Sequence, residues 1–271
     1  MRANVLPLGS GALAGTSLPI DREKVAKYLG FAGVSANSMD AVSDRDFAVE
    51  FLAFAALCGV HLSRLGEDLV LWSSREFGFI AIAETFCTGS SLMPQKVNPD
   101  VPELVRGKAG RFIGNLMRLL TVLKGLPLTY NRDMQEDKEA VFDSAEQLGS
   151  VLDILAALIE NVKLRALSSE RMFEGDFSYA TDIAEYLVRK GVPFRKAHHI
   201  TGSFVSYCLE NNVGLEQVSL ETLKKFAPQF EKDAYMVASI PSVVESKTSF
   251  GGTSPVNVRR QLSQWEKKLH A

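Results

Sequence analysis

The chain has 271 residues, of which 46% are hydrophobic and 23% charged, and its formal net charge is −2. It is long enough to bury a substantial core, and its composition is not that of a disordered protein. The near-neutral charge argues against a nucleic-acid partner, because nucleic-acid-binding proteins usually carry a basic excess. No apolar run reaches the ~18 residues of a membrane span, and no signal-peptide pattern is present. We therefore expect no membrane partner and a cytoplasmic location.

Cysteine usage excludes two further classes of protein. The three cysteines, Cys58, Cys87 and Cys208, are odd in number and widely spaced. There is no CxxC pair and no Cys/His cluster, so the sequence predicts neither a disulfide framework nor a structural zinc site.

An apolar segment with several glycines, Val5 to Gly15, follows the first four residues. We expect this segment to have no core of its own to join. Such a segment is typical of the interior of a larger protein.

A long apolar helix follows. Ser43, with Asp46 three residues later, resembles a capping box and predicts a helix from Asp44 to about Arg75. The stretch from Phe47 to Leu57 is apolar on nearly every face. Such a helix must be surrounded, either inside one bundle or by neighbouring subunits.

A polar loop at residues 86–100 separates this helix from the next one. It carries Ser90, Ser91, Lys96 and Asn98 on an otherwise apolar helical protein. Prolines at 94 and 99 prevent either flanking helix from running through the loop. Functional side chains are often placed on such loops.

Two further long helices are predicted after the loop. The first begins near Asp100 and ends at Lys124-Gly125, where Pro127 blocks continuation. The next begins near Asp133 and continues to about Leu164. Three helices of this length favour a long-helix bundle.

The predicted elements become shorter after about residue 168. They run from Tyr179 to Lys190, from Pro193 to Asn211, from Ser219 to Phe226 and from Pro255 to Leu269. The expected fold is all-α: residues 1–168 form a central bundle of long helices, and residues 169–271 form a smaller helical domain. No βαβ alternation and no internal repeat is evident.

The polar loop allows one kind of chemistry better than others. Nucleophilic serine catalysis needs a base within reach of the hydroxyl, and no histidine lies near Ser90 in sequence. The second glycine of a phosphate-binding P-loop is missing. A serine beside a cation and amide donors does suit proton abstraction α to a carboxylate, where negative charge accumulates on oxygen. The alternative is a solvated surface loop whose polar residues only cap helices.

A second polar group of residues spans 130–138 at the predicted start of the third helix. Free backbone N–H groups and the helix dipole favour an anion there. Arg132 adds a fork suited to a carboxylate, and Lys138 adds a point charge. The alternative is an ordinary capped helix end with solvated charges.

Three other candidates have simpler explanations. Cys87 is more readily a buried or incidental cysteine than a reactive thiol. His198 and His199 are adjacent and face different sides of a helix, so a shared metal ion is not expected. We predict no metal site.

Taken together, the motifs resemble the fumarase/aspartase superfamily and, more narrowly, the argininosuccinate lyase (delta-crystallin) family. The signature loop is Gly89–Asp100, GSSLMPQKVNPD. Further matches extend over nearly the whole chain in the family's order: Leu6–Gly15, Leu123–Pro127, Tyr130–Lys138 and Tyr186–Arg195. The resemblance implies a homotetramer with a central helical bundle. It also implies a cofactor-free β-elimination that splits argininosuccinate into arginine and fumarate in arginine biosynthesis.

The resemblance also implies roles for individual residues. Ser90 is expected to be the base that removes the proton, and Lys96 and Asn98 to stabilise the resulting intermediate. Glu103 is expected to support a catalytic histidine elsewhere. The residues implied to bind substrate are Ser91, Tyr130, Arg132, Gln135 and Lys138. Arg132 stands where relatives often have lysine, which keeps the charge but alters the hydrogen-bond geometry.

Two departures from the family pattern leave alternatives open. Val97 occupies a position that is usually lysine, which alone suggests a sister lyase acting on adenylosuccinate, fumarate or aspartate. The family's long N-terminal portion, with the Thr-His-x-Gln segment that carries the catalytic histidine, is missing from the sequence. We therefore expect an incomplete argininosuccinate lyase that is inactive alone. A non-catalytic scaffold that keeps the bundle is the second alternative.

Overall fold

A computed structural model of the protein describes residues 2–165 and 177–270. The chain divides into two compact units, Met1–Ala166 and Leu167–Ala271. The predicted boundary between residues 168 and 169 lies outside the described residues. Most of the described chain is helical and its strands are only two residues long, so the predicted helical fold is confirmed.

The first unit contains five described α-helices and six short strands. The helices are α1 (Arg22–Leu29), α2 (Ser38–Ser43), α3 (Asp46–Ser73), α4 (Asp100–Leu123) and α5 (Asp137–Glu160). The strands are β1 (Val5–Leu6), β2 (Gly33–Val34), β3 (Ile80–Ala81), β4 (Thr88–Gly89), β5 (Val97–Asn98) and β6 (Lys163–Leu164). They pair as parallel β1–β2 and as antiparallel β3–β6 and β4–β5.

Helices α3, α4 and α5 form the bundle. Helix α3 runs antiparallel to α4, because Gly59 lies against Phe112 while Gly66 lies against the carbonyl of Pro102. The two helices approach closely at both glycines, where a Cβ atom would collide with its neighbour. Three apolar clusters lie along the bundle and hold α3, α4 and α5 together.

Three predicted helix boundaries are wrong. Ser43 ends α2 rather than capping α3, whose N-cap residue is Arg45 without a side-chain cap. The third long helix begins with a 3-10 turn, Arg132–Glu136, and becomes α-helical only at Asp137. It ends at Glu160 instead of Leu164, because residues 163–164 pair with β3.

The N-terminal segment has a core, contrary to the sequence-based expectation. Leu6 is 1% exposed, and β1 pairs with β2. The guanidinium of Arg22 ties the segment together by donating hydrogen bonds to the carbonyls of Leu8 (2.8 Å) and Ser35 (3.1 Å). Gly11 has a φ of +63°, and a Cβ atom there would lie 2.5 Å from the carbonyl oxygen of Gly15. The local turns and one half-buried arginine therefore replace a larger hydrophobic core.

The second unit is helical throughout its described part. Its α-helices are α6 (Ala180–Arg189), α7 (Phe194–Asn211), α8 (Leu220–Phe226), α9 (Ile240–Ser246) and α10 (Pro255–Leu269). Its core is aromatic: the ring of Phe204 packs edge-on against Phe226, with centroids 5.5 Å apart, and Tyr186 stacks on Phe230. The predicted bounds of α10 are confirmed at both ends.

Helix α3 exposes an unusual amount of apolar surface. Phe54 is 61% exposed and Leu57 60% exposed. Its most apolar 18-residue window has a mean hydropathy of 1.5 and is only 28% buried. Among the described residues, this is the one helix that by length and composition could cross a membrane, although core helices of soluble proteins pass the same test. The absence of a membrane partner stays a prediction.

Candidate active site

The signature loop forms a short hairpin immediately before α4. Strands β4 and β5 pair Thr88 with Asn98 and Gly89 with Val97. The backbone N–H of Ser90 donates to the carbonyl of Lys96 at 3.3 Å, and the N–H of Lys96 donates to the carbonyl of Met93 at 3.0 Å. The hairpin therefore places Ser90 opposite Lys96, with Asn98 two residues further along the second strand. Sequence reasoning placed these residues on one loop, and the pairing explains how they converge.

The Ser90 hydroxyl lies in a backbone cradle. Its Oγ accepts hydrogen bonds from the N–H groups of Leu92 (3.2 Å) and Met93 (3.0 Å). Two N–H donors aimed at one oxygen favour negative charge on it, as they do in an oxyanion hole. A serine needs such help to act as a base. The geometry therefore suits Ser90 to accept a proton.

The other predicted residues of this region lie in the hairpin or just after it. Ser91, Lys96 and Glu103 are exposed, and Asn98 is half-buried. Glu103 lies in the first turn of α4. Cys87, just before β4, is half-buried, and burial together with the charge of Asp100 raises the pKa of its thiol. A raised pKa keeps the sulfur protonated and argues against a reactive thiol.

The second group of predicted residues lies between α4 and α5. Thr129 has a φ of +81°, a strained value for a β-branched residue, and it presents Tyr130. The side-chain amide of Gln135 donates a hydrogen bond to the Tyr130 hydroxyl. Arg132, in the 3-10 turn, is exposed. Backbone strain beside these side chains is typical of a functional site.

Two residues beside Lys138 escaped the sequence analysis. Asp137 is the first residue of α5, and its carboxylate is bound to Arg45 Nε at 2.6 Å and to Lys138 Nζ at 2.7 Å. Burial disfavours ionisation of Asp137, but hydrogen bonds from Lys138 and Arg45 outweigh it and lower the pKa of the carboxyl. Arg45 and Asp137 are 92 positions apart, so no local pattern could have paired them.

A cavity of about 950 Å³ lies beside these residues. Its lining includes Tyr130, Lys138 and Phe142, together with Pro7 and Gly11 of the N-terminal segment. Asp40, Asp44 and Arg2 also line it. Its size is that of a small-molecule site, with aromatic rings and a few charged groups.

The two groups of predicted residues lie at opposite ends of the bundle. The hairpin precedes the first residue of α4, whereas Tyr130 follows its last residue. A helix of 24 residues is about 36 Å long at 1.5 Å per residue. One copy of the chain therefore cannot bring Ser90 and Lys138 to one small substrate. A site that uses both needs segments from more than one subunit.

The described residues contain no group of three or more His, Cys, Asp and Glu side chains that could hold a metal ion. His61 lies within α3, and His198 and His199 lie within α7 of the second unit. None of them belongs to the hairpin or lines the cavity.

The hairpin and the long-helix bundle define a class of protein, the lyases. Residues 1–114 match the family model described as Lyase. A structure of EDDS lyase in complex with formate is 26% identical to the chain and superposes with a TM-score of 0.80, covering 99% of this chain and 55% of that one. Class II fumarase from Schistosoma mansoni, 16% identical with a TM-score of 0.67 over 85% of this chain and 52% of that one, shares the fold.

The narrower family follows from closer relatives. Residues 177–245 match the model described as Argininosuccinate lyase C-terminal. The chain is 55% identical over 262 residues to argininosuccinate lyase of Symbiobacterium thermophilum, covering 97% of this chain and 57% of the relative. It is 52% identical over 270 residues to that of Syntrophobacter fumaroxidans, covering 100% of this chain and 58% of the relative. The chain therefore belongs to the argininosuccinate lyase family, and it spans a little over half the length of these curated relatives.

Proposed function

We propose that this chain provides part of an argininosuccinate lyase, which splits argininosuccinate into arginine and fumarate. The observation that supports the proposal best is the Ser90 cradle, in which two N–H donors can stabilise negative charge on the serine oxygen. The match of residues 177–245 to the argininosuccinate lyase C-terminal model favours this substrate over those of sister lyases. Val97 is then a tolerated variation.

In the proposed reaction, Ser90 loses its hydroxyl proton to solvent, and the alkoxide, stabilised by the two N–H donors of the cradle, takes the proton from the succinyl carbon α to a carboxylate. The electron pair of that C–H bond moves onto the carboxylate, where Lys96 and Asn98 stabilise the negative charge. The pair then forms the double bond of fumarate as the C–N bond breaks, and the leaving nitrogen of arginine takes a proton from an acid. By resemblance that acid is a histidine in a Thr-His-x-Gln segment, which the 271 residues do not contain.

The second group of residues is proposed to hold the substrate's carboxylates. Tyr130, Arg132, Gln135 and Lys138 bring two hydroxyl or amide groups and two cations to one end of the bundle. Ser91 is proposed to bind substrate beside Ser90. Glu103 is proposed to support the histidine of the relatives.

Self-association is part of this proposal, because the two groups of residues flank opposite ends of α4, a helix about 36 Å long. Large apolar side chains are exposed on all three bundle helices, including Phe54 of α3, Leu104 of α4 and Phe142 of α5. Exposed apolar faces of this extent mark protein interfaces. We propose a cytoplasmic homotetramer, as the resemblance implies, with no nucleic acid, membrane, metal or cofactor involved in the reaction.

Complementation tests the proposal with the chain as it exists. The full-length Symbiobacterium thermophilum relative is inactivated by alanine at the serine that aligns with Ser90, and is co-purified with this chain. Fumarate release is followed by ultraviolet absorbance. We expect the chain alone to be inactive and the mixed oligomer to be active, because the chain donates Ser90 to sites completed by the relative.

The matched control is the same mixture with Ser90→Ala in this chain, which is expected to be inactive. If a mixed oligomer forms and remains inactive with the unmodified chain, the catalytic proposal is wrong and the scaffold alternative is favoured. Turnover by the chain alone would contradict the expectation that it is incomplete.

A further inference from the structure

Arg45 and Asp137 form the most buried ion pair among the described residues. Their side chains are 15% and 9% exposed, and Arg45 Nε lies 2.6 Å from Asp137 Oδ2. The pair joins the start of α3 to the start of α5 at the wall of the cavity. Because both groups are shielded from water, their geometry is held more firmly than that of a surface ion pair.

The guanidinium of Arg45 is fixed on its other side by backbone. Its Nη1 donates to the carbonyls of Asp44 (2.7 Å) and Val42 (3.4 Å), which connect α2 to α3. Asp137 also benefits from its place at the N-terminus of α5, where the helix dipole favours a carboxylate. The carboxylate therefore has little freedom to move.

The fixed carboxylate of Asp137 in turn restricts the position of the Lys138 ammonium. The Lys138 ammonium donates to Asp137 Oδ1 at 2.7 Å and to the carbonyl of Met134 at 3.2 Å. An ammonium has three N–H donors, so one remains for a ligand in the cavity that Lys138 lines. A lysine on a flexible stem would otherwise spend much of its time in solvent, since its side chain is 47% exposed.

We propose that Arg45 and Asp137 are positioning residues, which hold the Lys138 ammonium at the cavity wall so that it binds a carboxylate ligand. The identity of that ligand rests on the proposed function: it is a carboxylate of argininosuccinate or of a product. The pair acts through Lys138 and does not itself touch the substrate. A purely structural pair would instead hold α3 to α5 without any effect specific to Lys138.

Acetylation of lysines in the intact 271-residue chain separates these two roles. An ammonium held by a carboxylate and a carbonyl must leave both before its amine can react. We expect Asp137→Asn to speed acetylation of Lys138 by about tenfold, the scale of one lost charge-assisted hydrogen bond, and Arg45→Met to speed it several-fold. The rates are measured by peptide mass spectrometry, with exposed Lys124 as the internal reference.

The matched control variant is Arg118→Met, which removes an exposed ion pair with Glu136 and Glu139 at the same end of the bundle. It should leave the Lys138 rate unchanged. The proposal is overturned if Asp137→Asn leaves Lys138 unaffected, or if it speeds Lys138 and the reference lysines equally. The second result would mean general loosening of the unit.

The link to the reaction is tested in the mixed oligomer. Here the relative carries alanine at the position that aligns with Lys138, so this chain must supply the lysine. Asp137→Asn in the chain should raise KM about tenfold and change kcat much less, since binding rather than proton transfer is affected. An unchanged KM with an active mixture overturns the ligand role alone. An inactive mixture with the unmodified chain contradicts the proposed function, while the acetylation rates still decide the positioning.

Discussion

Replacing Gly66 with alanine should destabilise the bundle, although alanine is the better helix former. Gly66 lies within α3, where Gly→Ala normally adds about 1 kcal/mol to helix stability. A Cβ atom here, however, would lie 2.8 Å from the carbonyl oxygen of Pro102 and 3.5 Å from the N of Arg106. A carbon and a carbonyl oxygen rarely approach closer than about 3.3 Å. Because Pro102 O belongs to the backbone, α3 and α4 must separate locally.

The expected magnitude follows from these two opposing effects. Overpacking of a well-packed contact costs about 1–3 kcal/mol, and the propensity gain offsets about 1 kcal/mol of it. The free energy of unfolding should therefore fall by roughly 1 kcal/mol. Gly149 in α5 has no atom within 4 Å of its Cβ position, so Gly149→Ala keeps only the gain. The two substitutions should therefore change the free energy of unfolding in opposite directions, and the two variants should differ by about 2 kcal/mol.

Urea unfolding followed by tryptophan fluorescence measures this difference. Trp72 lies in α3, six residues after Gly66, and the other tryptophan, Trp265, is 58% exposed in α10. A Trp265→Phe background makes the signal specific for the first unit. If Gly66→Ala stabilises the chain as much as Gly149→Ala, the close approach of α3 and α4 at Pro102 is refuted.

Three other predictions concern charge, strain and thiol reactivity. The pKa of Asp137 is lowered in the folded chain, so its contribution is present above about pH 4 and is lost as the pH falls through the folded pKa. Asp137→Asn should therefore cost more stability at pH 6 than at pH 3, as measured by urea unfolding at both. Thr129→Gly should raise the free energy of unfolding by about 1 kcal/mol, because glycine adopts a φ of +81° without strain. A variant that is less stable than the unmodified chain in thermal unfolding would contradict this prediction. Burial, with the charge of Glu216, raises the pKa of Cys208 to about 11. At pH 8 this thiol should therefore react with a maleimide far more slowly than the half-buried Cys58. Equal labelling of the two cysteines, measured by mass spectrometry, would refute this prediction.

Local signals in the sequence predicted much of the fold. Pro255 and Leu269 were located correctly because proline at a first turn and the end of an amphipathic pattern are short-range features. The start of α4 at Asp100 followed from Pro99 in the same way. The start of α5 could not be located, because Asp133 and Asp137 are both good first-turn residues and only tertiary packing chose between them. Pairing of residues 163–164 with β3 is similarly non-local.

For the candidate site, too, local features could be predicted from the sequence and contacts between distant residues could not. Its residue types and spacing were legible, so Ser90, Lys96 and Lys138 could be named from the sequence. The hydrogen bonds that make Ser90 a plausible base come from Leu92 and Met93 backbone, which carry no sequence signature. The partnership of Arg45 with Asp137 spans 92 positions and depends on how α3 meets α5. The sequence was therefore enough to identify candidate residues, whereas the hydrogen bonds and the ion pair that hold them could be seen only in the structure.

The hairpin and the Tyr130–Lys138 segment lie at opposite ends of α4. The length of α4 therefore sets the distance between them. If sites are completed between copies, the distance between the two segments must match the spacing between subunits. Loss of one helical turn would shift one segment by about 5.4 Å, more than a hydrogen bond can tolerate. Insertions and deletions should therefore be accepted in the surface turns of this family, but within α4 only when α3 and α5 change by the same number of turns. The length of α4 is then constrained by the proposed assembly as strongly as the residues of the hairpin are.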